Sequence, residues 1–171
     1  MTFPPRLLFD FIPCFHEPDA PAGVRLTARV ELEPETFTVT VAGPLTTMPP
    51  PPDPPGRVEA LWRHDVIEVF LLGDDDRYLE LELGSHGHYW LLSLHGCRSI
   101  AGELTPLHHA WRHEGGRQEA SVRLPAAALP PGLRAVNVTC ILGPERFHGS
   151  FVPLPGARPD FHQLERFHFP G

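Results

Sequence analysis

Hydrophobic and polar positions along this chain alternate with a period of two far more often than they repeat with the period of a helix. Segments 24–32, 36–42, 66–72, 78–83, 88–94, 118–124 and 135–142 alternate, and 108–113 and 147–152 do so more weakly. No stretch keeps a 3.6-residue apolar period over three turns. Turn residues separate the alternating runs. Gly73-Asp74-Asp75-Asp76 lies between two strong strands and Gly84-Ser85-His86-Gly87 between the next two, which predicts a meander of hairpins. Residues 126–129, set between prolines, suit a single helical turn. Eight or nine strands at this spacing predict an all-β fold, a two-sheet antiparallel β-sandwich with at most short helical turns.

Length fits one domain over 1–171, and no repeat or second unit is visible. Residues 48–56 hold six prolines in nine positions, which predicts an extended surface loop (about 48–57) that stays out of the sheets. The loop leads directly to Trp62, so it is expected to wall whatever Trp62 lines.

Alternation also sorts faces. Ile67, Val69 and Leu71 share one side of strand 66–72, and Val66, Glu68 and Phe70 share the other. Glu68 thus occupies a place suited to a hydrophobe, and burying a carboxylate there is costly unless donors meet it. In 78–83, Leu79, Leu81 and Leu83 turn to the core while Tyr78, Glu80 and Glu82 turn away. The same reading sends Arg123 outward in 118–124, and Asn137 and Thr139 outward in 135–142. If these strands are neighbours in one sheet, Glu68, Glu80, Glu82, Arg123, Asn137 and Thr139 share a polar surface beside Trp62. Planar polar groups at an aromatic rim suit sugar hydroxyls and the C–H face of a pyranose. An antiparallel sheet with one solvated face produces the same alternation of Glu and Leu.

Charge and composition narrow the partners. The net charge of −7, the absence of lysine and the scatter of the fourteen arginines argue against nucleic acid. No apolar run approaches the ~20 residues of a membrane span. The first residues lack the pattern of a secretion signal, so a cytoplasmic location is expected. Cys14, Cys97 and Cys140 are too few and too widely spaced for a disulfide frame or a zinc knuckle. Eleven histidines include His86-x-His88, and His162 lies near the end. With Glu80 or Glu82 these three would form a carboxylate–imidazole set for a divalent metal. An equally simple account is that histidine and arginine replace lysine on the surface. The acidic tip 74–76 lacks the regular alternation of a calcium loop. No serine-nucleophile or phosphate-loop motif is present.

The segment 61–70, Leu-Trp-Arg-His-Asp-Val-Ile-Glu-Val-Phe, resembles the strand of family 9 carbohydrate-binding modules that carries a clamp tryptophan and a sugar-binding acid. Tyr78-Leu79-Glu80-Leu81-Glu82-Leu83 is similar to the next strand of that superfamily, which includes DOMON-like domains. A closer likeness, over roughly 45–169, is to the family grouped with the product of human chromosome 4 open reading frame 33. It runs through Leu61-Trp62, Glu68, Tyr78-Leu79-Glu80, Glu82 and His86-Gly87 to Pro159-Asp160-Phe161-His162-x-Leu164-Glu165-x-Phe167.

The resemblance implies a sandwich with a ligand slot, Trp62 as one wall and Glu68 as the polar contact. Two departures accompany it. A second clamp tryptophan has only Phe151-Val152-Pro153-Leu154 in its place, and Glu80 replaces a basic sugar contact. The expected function is therefore non-catalytic binding of a small molecule, a carbohydrate by resemblance, with no cofactor. A metal-dependent enzyme built on Glu80, Glu82, His86 and His162 is the alternative. Haem, as in some DOMON domains, would have Met48 as its one internal methionine ligand. Asp160 and His162 are expected to anchor the C-terminal segment while Phe161 or Leu164 plugs the sandwich.

Overall fold

The structure is a computed structural model describing residues 4–167. Two sheets face each other across one apolar layer. The smaller sheet has the order β1-β3-β4-β11-β10, with β1 Arg6–Phe11, β3 Leu26–Leu32, β4 Thr36–Pro44, β10 His108–Glu114 and β11 Arg117–Pro125. The larger sheet runs β2-β13-β12-β6-β7-β8-β5, and β9 joins at β8. Its strands are β2 Cys14–Phe15, β5 Gly56–Arg57, β6 Val66–Leu72, β7 Arg77–Gly84, β8 His88–His95, β9 Ile100–Glu103, β12 Ala135–Leu142 and β13 Phe147–Ser150. All pairings are antiparallel except the two-residue contact of β5 with β8. Regular elements other than strands are four 3₁₀ turns among the described residues, one of them Ala126–Ala128 where a single turn is expected.

The sandwich therefore matches the pattern in the sequence, and the meander β6–β7–β8 forms as predicted. Gly87, in the turn between β7 and β8, has φ 80°, a conformation glycine adopts without penalty. The Trp111 ring occupies the space a Cβ would need there. β1, β2, β5 and β9 are additions that alternation did not reveal. Three of them are four residues or fewer, and β1 is an edge strand between prolines.

The core between the sheets takes Val30, Phe37, Val39 and Val122 from the smaller sheet and Ile67, Val69, Leu71, Leu79, Leu81 and Val138 from the larger. The three cysteines are free. No helix among the described residues is long and apolar enough to cross a membrane.

The proline-rich loop departs from expectation in two ways. Gly56 and Arg57 enter the larger sheet as β5, because both keep the backbone N–H that the prolines before them lack. Pro51 is buried, although most of the loop is exposed.

Candidate functional site

The outer side of the larger sheet is covered as well. Val66, Phe70 and Leu72 of β6, Tyr78 of β7, Trp90, Leu92 and Leu94 of β8, and Ala135 and Ile141 of β12 form a second buried cluster. Leu61, from the 3₁₀ turn Leu61–Arg63, and Phe167, from the C-terminal segment, close over it. The polar face expected from alternation is thus a second interior. A solvated sheet face does not describe it.

Three glutamates lie within this apolar floor. Register places Glu68 directly opposite both Glu82 of β7 and Thr139 of β12, and Glu80 sits two residues before Glu82 on the same face. Their exposures are 2% for Glu68, 8% for Glu80 and 0% for Glu82. One carboxylate oxygen from each lies within 4.8 Å of the others. Like charges directly opposite across strands oppose sheet formation, and the apolar surroundings make each charge dearer.

Partners are scarce. Thr139 Oγ1 donates to Glu68 Oε2 at 2.7 Å, while neither oxygen of Glu82 makes a well-formed hydrogen bond. Burial pushes Glu68 up to about 7, opposed by the Thr139 hydroxyl and by Arg98 and Arg146. Burial and the charge of Glu68 push Glu80 up to about 8. Glu82 is raised well above the usual carboxylate range by burial and by both neighbours, with the Trp62 backbone amide opposing. Near neutrality the trio shares protons.

The segment 159–167 lies across the trio as a strap. His162 Nε2 is 3.8 Å from Glu80 Oε1, and His162 Nδ1 shares a 2.7 Å hydrogen bond with Tyr78 Oη. Burial, with Arg98 adding to it, drives His162 down to about 4, so its imidazole is neutral at physiological pH. Arg98 donates through its backbone N–H to Tyr78 Oη at 3.0 Å and through Nη2 to Asp160 Oδ1 at 2.7 Å. Asp160 Oδ1 also accepts the His162 N–H at 2.9 Å. Asp160 and His162 thus anchor the C-terminal segment as expected, through a turn and not a strand. Leu164 packs on the outer cluster, outside the sandwich core.

A pocket of about 360 Å³ opens beside the strap, and Glu68, Glu80, Glu82, Trp62, Trp90 and His162 are in its lining. Trp62 stands at the rim, 42% exposed, with the Arg63 guanidinium 5.4 Å from its ring centroid. Phe161, Arg98 and His148 complete its wall, and the proline-rich loop contributes nothing to it.

The structure brings Trp62, Glu68, Glu80, Glu82 and His162 together and disperses the other candidates. Arg123 belongs to β11 in the smaller sheet, where it bonds Thr36 and Glu33, because β11 pairs with β4 and not with β6. Asn137 points to the expected side but is fully buried. Its amide donates to Ser150 Oγ at 3.0 Å and its oxygen accepts the Val138 N–H at 2.9 Å. His86 turns toward His113 of β10, with ring centroids 4.7 Å apart, and bonds Ser85. His88 shares a 2.9 Å hydrogen bond with the Asp53 carbonyl and ties down the proline-rich loop. Neither histidine joins the glutamates. Phe151 packs edge-on against Phe9 and Phe11 in the core and supplies no second wall. Trp90, whose Cα is paired with Glu82, was legible only once that register was known. Arg98 gave no signal because it lies in a turn.

No family model matches the chain. Across 98% of its length it is 30% identical to the mouse UPF0462 protein C4orf33 homolog, spanning 89% of that protein. The chain belongs to the UPF0462 family. The human UPF0462 protein C4orf33 is 29% identical over 98% of this chain and 86% of its own length. Among solved structures, this UPF0462 chain resembles a Bacteroides uniformis protein provisionally described as carbohydrate-binding. The TM-score is 0.68 at 14% identity, over 95% of this chain and 84% of that one. It also resembles a family 9 carbohydrate-binding module from Caldicellulosiruptor kristjanssonii in complex with cellotriose. There the TM-score is 0.58 at 9% identity, over 94% of this chain and 77% of the module. At these identities the likeness shows the fold.

Proposed function

We propose that the outer-face pocket binds a small hydroxyl-bearing molecule, without catalysis, in the manner of a carbohydrate-binding module. One observation carries the reading: Trp62 and the three glutamates line a single open pocket. A tryptophan ring presents an apolar plane to sugar C–H groups, and carboxyl groups that share protons offer hydroxyls both donors and acceptors. The family 9 module solved with cellotriose supports the reading through its fold.

Titration of tryptophan emission with glucose and with cellotriose tests it, since Trp62 and Trp90 both line the pocket. A saturable change is expected. Trp62→Ala should weaken binding about 30-fold, the effect of removing roughly 2 kcal/mol at a hot spot. The same substitution should leave stability within about 0.5 kcal/mol, as for an exposed side chain. Unaltered affinity in Trp62→Ala and Glu68→Gln, for every ligand that binds, would overturn the reading.

A further inference from the structure

We propose that Glu68, Glu80 and Glu82 seat one hard divalent cation whose remaining coordination positions face the pocket. The inference deepens the reading of this pocket as a ligand site and rests on it.

Three facts lead there. The first is distance. Ligands of one cation lie at most twice a bond length apart, about 4 Å for Mg²⁺ or Mn²⁺ and up to about 5 Å for Ca²⁺. One oxygen of each glutamate meets the Ca²⁺ limit, all three lying within 4.8 Å of one another, and a small inward shift of the side chains would bring them to the Mn²⁺ limit. The second is Glu82. Its side chain is 0% exposed, lines the pocket beside the other two carboxylates, and has no well-formed hydrogen bond on either oxygen, the Trp62 backbone amide being a weak contact only. A carboxylate is not left so at the centre of a sheet without cost, and a cation would answer both oxygens. The third is that the two guanidinium groups whose charge acts on the trio are engaged elsewhere. Arg98 Nη2 reaches Asp160 at 2.7 Å and Arg146 Nη2 reaches the Trp62 carbonyl at 2.5 Å.

An all-oxygen set favours Mg²⁺, Ca²⁺ or Mn²⁺ over Zn²⁺ or Cu²⁺. His162 Nε2 lies 3.8 Å from Glu80 Oε1 but does not come within 4.8 Å of all three carboxylates, so the close set is oxygen alone. A cavity of about 360 Å³ is many times the size of one ion. The open side of the cation can therefore take hydroxyl or carbonyl oxygens from the molecule that Trp62 covers, so small-ligand recognition would be cation-dependent.

The test uses the full chain, stripped with chelator and desalted, and titrated with MnCl₂ alone by calorimetry and by electron paramagnetic resonance of free Mn²⁺. One Mn²⁺ per chain is expected, with heats that depend on the buffer because the carboxyl protons are released. Ca²⁺ should compete. Glu82→Gln and Glu68→Gln should each weaken Mn²⁺ at least tenfold, while Asp75→Asn, on the exposed hairpin tip, should leave it unchanged. Lack of saturable binding up to about 1 mM, the weak end of protein calcium sites, in protein with a native circular dichroism spectrum would overturn the proposal. Binding that survives both glutamine variants, or that is lost in Asp75→Asn, would also overturn it. Glucose and cellotriose titrations in stripped and Mn²⁺-loaded protein separate the two readings. Mn²⁺ held by Glu82 with neither sugar bound removes the sugar and leaves the cation. Equal sugar binding in both forms removes cation dependence and leaves the pocket.

Discussion

Glu82 is where folding and function pull apart most clearly. A glutamate opposite Glu68 and two residues from Glu80, inside an apolar cluster, weakens the sheet that carries it, a local conflict that fits the proposed site. Its cost depends on pH in a definite direction. Unfolded, Glu68 and Glu80 ionise near 4.5, whereas in the folded protein they do so near 7 and 8. Between those values the folded state binds more protons at these two groups, so their contribution to stability is full below about 4.5 and declines as pH climbs through 7 to 8. Stripped protein should therefore melt at a lower temperature at about pH 8 than at about pH 5.5, and Glu80→Gln should flatten that decline in a calorimetric pH series. Glu82→Gln, which removes the carboxyl whose charge Glu68 and Glu80 oppose, should likewise flatten that decline in the same pH series. Alternation alone exposes Glu68 as an anomaly in an apolar strand. It cannot tell a buried anomaly from a solvated one, because the covering residues, Leu61 and Phe167, lie outside those strands.

The strap 159–167 is the element on which the pocket depends. Asp160 fastens it by accepting from both the His162 amide and Arg98, and Gln163 Nε2 holds it to the Pro155 carbonyl at 2.9 Å. Phe167 drops against Phe70, with ring centroids 5.5 Å apart. The Arg98–Asp160 pair is exposed and adds little by itself, but the bond to the His162 amide is local and directional. Asp160→Ala is expected to cost about 1 kcal/mol and to speed hydrogen exchange of amides 160–167, with β6 and β7 unaffected. Equal acceleration throughout the larger sheet would show that the strap is not a separate unit. The Asp-Phe-His motif pointed to this anchor from the sequence. Its contact with Tyr78, 84 positions earlier, was not visible there.

Across the whole molecule, stability resides in the layer between the sheets, and the proposed binding pocket lies on the far side of one of them. Phe37 and Leu81, fully buried from opposite sheets, should illustrate the first half. Phe37→Ala should cost about 3–5 kcal/mol and Leu81→Ala about 2–5 kcal/mol by denaturant titration. Losses near zero would place the core elsewhere. Nine of the thirteen strands, their inward faces, the β6–β7–β8 meander and the sandwich were legible in the sequence, because a period of two and glycine-rich turns act over neighbouring residues. The sequence also determined that Glu68, Glu80 and Glu82 share a face, since two of them lie on one strand and the third on the strand paired with it. Long-range pairing alone placed Arg123 in the other sheet, His86 and His88 at a turn and a loop, and the strap against Glu80. Those outcomes depend on which distant strands pair and which segment folds back over a face. Local alternation carries no record of either.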